Sequence, residues 1–128
     1  MRKIFALCIM LIILAACQPQ PKEKGTLQGT VSIGPICPVE RDPPDPRCKP
    51  SPETYAAWPI SVYTQTNKKI ATVVPDADGQ FTLELPEGTY ILDLEKKQPI
   101  GGNNLPATIT ITAGETTSFA VDIDTGIR

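Results

Sequence analysis

The chain has 128 residues, enough for one domain, and a formal charge of −2, a mild acidity that argues against nucleic acid, whose binding needs a clustered basic surface. It contains no histidine, which removes the commonest general base and the commonest metal ligand together. Fourteen prolines and an aromatic share of 5% point to strands and rigid loops rather than helices.

Met1-Arg2-Lys3 is a short basic segment, and Ile4 to Ala16 is an unbroken apolar run of 13 residues. That is the length of a secretion signal and too short for a bilayer core of about 30 Å, which takes about 20 residues. Leu14-Ala15-Ala16-Cys17 closes the run and matches a lipobox, so residues 1–16 are expected to be removed and Cys17 to carry the lipid. An ordinary signal with a chance cysteine is the rival reading; it is disfavoured because Cys17 falls just where the apolar run ends. Loss of Arg2 and Lys3 leaves 10 basic against 14 acidic residues, or −4. Residues 17–25, the lipidated Cys17 and the polar stretch Gln18 to Gly25, form the expected tether. Gln18 is not the Asp that commonly retains lipoproteins in an inner membrane, which fits outer-membrane sorting where an outer membrane exists. The expected location is therefore the cell envelope, on the outer face of the cytoplasmic membrane or in the outer membrane.

The expected domain, 26–128, carries strand signals separated by turn residues. Thr26 to Ile33 turns Leu27, Val31 and Ile33 to one face, with Gly29 in line. Gly34 to Pro59 is an insertion of 26 residues holding eight of the 14 prolines, with one possible helical turn beginning at Ser51-Pro52-Glu53. Ile60 to Thr64 and Ile70 to Val74 are short strands. Asp76-Ala77-Asp78-Gly79 is a turn in which Gly79 can take a positive φ. Gln80 to Leu85 turns Phe81, Leu83 and Leu85 inward. Pro86-Glu87-Gly88 is a second tight turn, and both turns read as hairpins. Thr89 to Glu95 sets Tyr90, Leu92 and Leu94 inward and Ile91, Asp93 and Glu95 opposite. Ala107 to Thr112 and Thr117 to Ile123 complete the set. Seven strands, each with one apolar face, predict an all-β, seven-stranded antiparallel β-sandwich.

Cys8 leaves with the signal and Cys17 is acylated, so Cys37 and Cys48 remain as a pair in an oxidising compartment, and a disulfide is expected. A metal or redox pair is the alternative, but the spacing is not CxxC and no further Cys or His can complete a zinc site.

No catalytic constellation stands out. Asp76 and Asp78 are the candidate calcium ligands, but a turn suits them better, so no metal and no cofactor are expected. Glu40, Asp42 and Asp45 alternate with Arg41, Arg47 and Lys49 in the insertion, where solvated charge is commoner than acid–base work. Ser51, Ser61 and Ser118 have no histidine partner. Tyr55, Trp58 and Tyr63 could stack on sugars or peptides, or pack on the loop's prolines, the preferred reading.

Pro75-Asp76-Ala77-Asp78-Gly79-Gln80-Phe81 and Leu85-Pro86-Glu87-Gly88-Thr89-Tyr90-Ile91-Leu92 resemble the D-x-D-G-x-F … L-P-x-G-x-Y signature of carboxypeptidase regulatory-like domains. That resemblance implies a transthyretin-like, or prealbumin-like, Greek-key sandwich over most of 26–123. It implies little about activity, because such modules are attached to peptidases, transporters and adhesins alike. Gly34 to Glu40 and the closing Asp124 to Arg128 resemble a subgroup of small bacterial secreted proteins. The expected function is non-enzymatic: a monomeric envelope module, membrane-attached through its lipid, that meets an envelope protein or a glycan. Its contact surface is placed on the Pro-rich loop at Glu40, Arg41, Asp42, Arg47, Tyr55 and Trp58. The alternatives are a structural spacer and a transthyretin-like hydrolase, the latter disfavoured by the missing histidines.

Overall fold

The computed structural model describes residues 19–39, 41–96 and 101–128. The lipobox with Cys17, and Glu40, lie outside the described residues. Seven strands are described: β1 (Lys24–Gly34), β2 (Ile60–Thr64), β3 (Lys69–Val73), β4 (Gln80–Pro86), β5 (Gly88–Leu94), β6 (Ala107–Ile111) and β7 (Thr116–Asp124). They form a three-stranded sheet, β4-β1-β7, and a four-stranded sheet, β3-β2-β5-β6. The all-β, seven-stranded sandwich read from the sequence is therefore the fold. No described helix is long and apolar enough to cross a membrane.

The core lies between the sheets and follows the alternation. Leu27, Ile60, Val62, Leu92, Val121 and Ile123 are at most 1% exposed. Burying an aliphatic side chain of this size contributes about 1.5–3 kcal/mol. Leu83 and Phe119, also expected inside, are only half-buried and pack on the margin of the core. Gly29 leaves room for an aromatic ring. It pairs with Phe81 on β4 and Phe119 on β7. A Cβ there would lie 2.0 Å from Phe81 Cζ, so the ring occupies the space of the missing side chain.

Three features depart from the sequence reading. The pairing of β1 with β7 is parallel, while the other four strand pairs are antiparallel. One-sided alternation is the same for either direction, so it cannot tell them apart. Second, the turns at Gly79 and Gly88 are not hairpins. The chain crosses from β3 in one sheet to β4 in the other, and from β4 back to β5. A tight turn has the same residue chemistry whether the chain doubles back or changes sheet, so register comes from the β1–β4 and β2–β5 ladders instead. Third, β1 begins at Lys24, two residues before the expected start at Thr26, and Gly25 already continues the buried alternation.

These registers give the molecule two poles. β1 starts beside Pro86 and Thr116 and ends beside Asp124. The β2–β3 turn, the β4–β5 crossing and the β6–β7 turn share the pole where β1 starts. The insertion, the Asp76–Gly79 turn, the segment before β6 and the C-terminus share the other. Eleven residues of β1 at about 3.3 Å each separate the poles by about 35 Å.

Candidate contact surface

The insertion has no buried residue among its described positions from Pro35 to Pro59, so a core of its own does not hold it. Local chemistry does. Cys37 and Cys48 are bridged, with Cα atoms 5.3 Å apart. Asp45 accepts from the Arg47 backbone N–H at 2.9 Å and from its guanidinium at 2.7 Å, opening a 3-10 turn at Pro46–Cys48. The Arg47 side chain beside Asp45 holds that carboxyl below the usual range, and Asp45 raises Arg47 in return. The expected helical turn is present as α1 (Pro52–Ala56), where Ser51 and Thr54 cap each other's backbone N–H groups.

Three side chains fasten this shell to the sandwich. Ile36, Tyr55 and Trp58 are half-buried and pack on the core. Tyr55 lies over the Asp76–Gly79 turn, where a Cβ on Gly79 would come within 2.5 Å of its ring. Gly79 has φ +75°, so two constraints favour glycine there. The C-terminal segment braces the root: the Thr125 N–H donates to the Gly34 carbonyl at 3.2 Å and its hydroxyl to that of Pro35. Arg128 closes back on Asp124 at 2.8 Å and lowers that carboxyl's pKa.

The residues singled out from sequence thus separate into two groups. Arg41, Asp42 and Arg47 are exposed on the outside of the insertion, whereas Tyr55 and Trp58 lie beneath it as anchors. Val39, 68% exposed, joins the outer group and was missed, because a single apolar residue in a loop has no period to reveal it. Arg41, Pro44, Asp45, Cys48 and Lys49 surround a concavity of about 190 Å³.

The Asp76 carboxylate is engaged by the turn itself. Asp76 Oδ1 accepts the backbone N–H groups of Asp78 and Gln80, each at 2.9 Å, which secures the turn. Among the described residues no group of three or more His, Cys, Asp or Glu side chains is placed to hold a metal ion. Tyr63 lies apart from Tyr55 and Trp58, on the outer face of the four-stranded sheet. There it lines a groove of about 420 Å³ with Asn67, Ile91, Asp93 and Pro106. Beside it, Glu95 accepts from Lys69 at 2.7 Å and from Ser61, which is fully buried. The Lys69 bond is the largest cause of the lowered Glu95 pKa.

No family model and no curated protein matches the chain. Among solved structures, the sandwich is similar to GBS52, the minor pilin of the gram-positive pathogen Streptococcus agalactiae: TM-score 0.54, 15% identity, 80% of this chain and 45% of that one. It is also similar to the Bacillus anthracis TIE protein, with TM-score 0.51, 20% identity and 80% against 17% coverage. The chain spans less than half of either neighbour, and at these identities the likeness is one of fold.

Proposed function

We propose that this protein is a non-enzymatic, lipid-anchored module of the cell envelope, of the carboxypeptidase regulatory-like type, whose disulfide-closed insertion meets a partner in the envelope. The observation that carries this reading is the polarity of the molecule. The N-terminal tether joins the sandwich at Lys24, and the insertion stands about 35 Å away at the other pole. A lipid on Cys17 leaves that pole the part of the domain farthest along the strands from its own anchor. The outward residues Val39, Arg41, Asp42 and Arg47 sit there on a shell with little freedom to lose on binding. Rigid scaffolds commonly place function on such loops. The family reading rests on the 75–92 signature, whose Asp76, Gly79 and Tyr90 have plain structural work: Tyr90 donates to the Pro86 carbonyl at 2.6 Å.

Two measurements test the proposal. Wild-type protein takes up labelled fatty acid and fractionates with membranes, while Cys17→Ser does neither; a wild type without label defeats the anchor. Envelope extract passed over the full chain yields a partner that Arg41→Glu/Arg47→Glu loses. Equal capture by both proteins moves the contact surface off the insertion.

A further inference from the structure

The edges of the two sheets are not protected alike. Along β7 the segment before β6 covers the edge: the Asn103 N–H donates to the Asp122 carbonyl at 2.8 Å, Asn104 Nδ2 to that of Ala120 at 2.7 Å, and the Asp124 N–H to that of Gly101 at 2.9 Å. The β3 edge has no such cover, and among the described residues nothing bonds the open side of its backbone from Lys69 to Val74. The direction of its backbone groups follows from β2. The Thr64 N–H donates to the Lys68 carbonyl, and the Pro59 carbonyl accepts from Glu95. Strand alternation then turns Ile60 and Val62 towards β3, with their partners Val73 and Ala71 facing back. Thr72, between them, turns its N–H and carbonyl to the open side, and Val74, just past the strand, follows in the same alternation. Ile70 is the extra residue of a bulge and has no partner on β2. Among the described residues three large apolar side chains are exposed, and two of them stand here: Ile70 at 39% and Val74 at 53%. An open, apolar edge strand is a template for pairing with another chain.

We propose that β3 is the surface through which two copies of this chain pair, edge to edge and antiparallel, in place of the monomer expected from the sequence. The strand is complementary to itself in one register. With Thr72 opposite Thr72 of the second copy, Ile70 meets Val74, Val74 meets Ile70, and Lys68 stands opposite Asp76. Opposed apolar residues and opposite charges both stabilise an antiparallel pair. A shift of two residues sets Val74 against Lys68 in one direction and Ile70 against Asp76 in the other. The acidic turn keeps its charge for this contact: Asp76 is bonded by backbone N–H groups, and among the described residues neither Asp76 nor Asp78 bonds a basic side chain. The features that commonly guard an edge are turned aside here. Lys69 is drawn back by Glu95 at 2.7 Å. Pro75 follows the alternation of Ala71 and Val73, so its missing N–H lies on the β2 side. Self-complementarity favours a second copy over a foreign peptide. The β4 edge lacks it: centred on Leu83, β4 sets Thr82 against Glu84 and exposes no large apolar side chain. The pairing surface is apart from the insertion and does not rest on the lipid anchor. Where the anchor is present, the tether from Cys17 to Lys24 spans about 25 Å at full stretch, so both lipids of an antiparallel pair reach one membrane with the strands lying along it.

The test joins oxidative cross-linking of the full chain carrying one added cysteine to sedimentation equilibrium of the full chain in density-matched detergent. In the proposed register Thr72 faces itself across the two-fold axis at a Cα separation of about 5.5 Å, which a disulfide spans. Thr72→Cys is expected to form a covalent dimer. A mixture of Ile70→Cys and Val74→Cys chains should link to each other about tenfold more than either links to itself, and Thr82→Cys on β4 should stay monomeric. One strand pair makes a narrow and therefore weak interface, so wild type should pass from monomer to dimer between about 10 µM and 1 mM. Ile70→Lys/Val74→Lys should remain monomeric over that range with its cooperative melt kept, since both side chains are exposed. Arg41→Glu/Arg47→Glu should pair as wild type does, which separates this surface from the insertion. The proposal is overturned if wild type is still a monomer at about 1 mM, the result expected if the edge takes only a foreign peptide. It is overturned equally if Thr72→Cys does not cross-link, if Thr82→Cys cross-links in its place, or if Ile70→Lys/Val74→Lys pairs as strongly as wild type.

Discussion

The sandwich and the insertion are held together by different physics. In the sandwich stability comes from apolar side chains meeting across two sheets, and 14 of those described are buried. Between Pro35 and Pro59 no described residue is buried, and order comes from one disulfide, one acidic turn, one capped helical turn and three anchors laid on the sandwich. A core is cooperative, whereas a braced shell is a set of separate local devices. Damage to the first should lower the stability of the whole molecule, and damage to the second should loosen one pole.

The largest expected effect is on the core side. Leu92→Ala should cost about 2–5 kcal/mol, which at about 4–8 °C per kcal/mol for a domain this size lowers the thermal midpoint by about 10 °C or more. Val39→Ala, on the exposed shell, should move it by about 0.5 kcal/mol at most; equal losses would erase the distinction. Next is Gly29→Ala, which should cost about 1–3 kcal/mol through overpacking against Phe81. Combined with Phe81→Leu the cost should be less than additive; strict additivity would mean that the ring does not depend on the missing Cβ. Ser51→Ala removes the helix cap and should cost about 1 kcal/mol. Its effect should show as faster proteolysis within residues 50–58, with the core strands as well protected from hydrogen exchange as before.

Smallest are the solvent-linked effects. Asp45, Glu95 and Asp124 have pKa values lowered by Arg47, Lys69 and Arg128. A carboxyl whose folded pKa lies below its unfolded value stabilises the fold above the unfolded pKa, about 4, and that contribution disappears as pH falls through the folded value. All three pairs are at the surface, so the loss is modest and begins below about pH 5. With no histidine in the chain, melts should be flat between about pH 5.5 and 8. A step near neutrality would point to a titrating group not accounted for. A chelator should leave the midpoint unchanged, since Asp76 already caps the turn; a drop of several degrees would restore calcium to that loop.

Much of this contrast was legible in the residue order, and the illegible part has physical causes. Alternation placed every strand to within about two residues, because burial on one face writes a period of two into the chain. It could not assign β4 to the three-stranded sheet, since the Asp76–Gly79 turn reads alike for a hairpin and a crossing. The insertion showed its cysteines and the Ser51 cap, because those motifs are local. Its anchoring was hidden. Tyr55 and Trp58 read as packing on the loop's own prolines, whereas they lie on the core of the sandwich, and the bond from Thr125 to Gly34 joins residues 91 apart. The groove left one mark, Ile91 among the outward residues of β5, which gains meaning only beside Tyr63 across the ladder.

The central claim is that the sandwich is a self-sufficient scaffold and the insertion a shell braced onto it. Replacing both Cys37 and Cys48 by Ser tests this most directly, read by thermal melting and limited proteolysis on the same samples. The bridge closes a short, proline-stiffened ring, so its loss should cost about 1–3 kcal/mol. The double variant should still melt in one cooperative step at a lower midpoint, with the first cuts inside residues 38–58 and the strands intact. A double variant that fails to fold, or that is cut first within β1 or β7, would show that the insertion is part of the core.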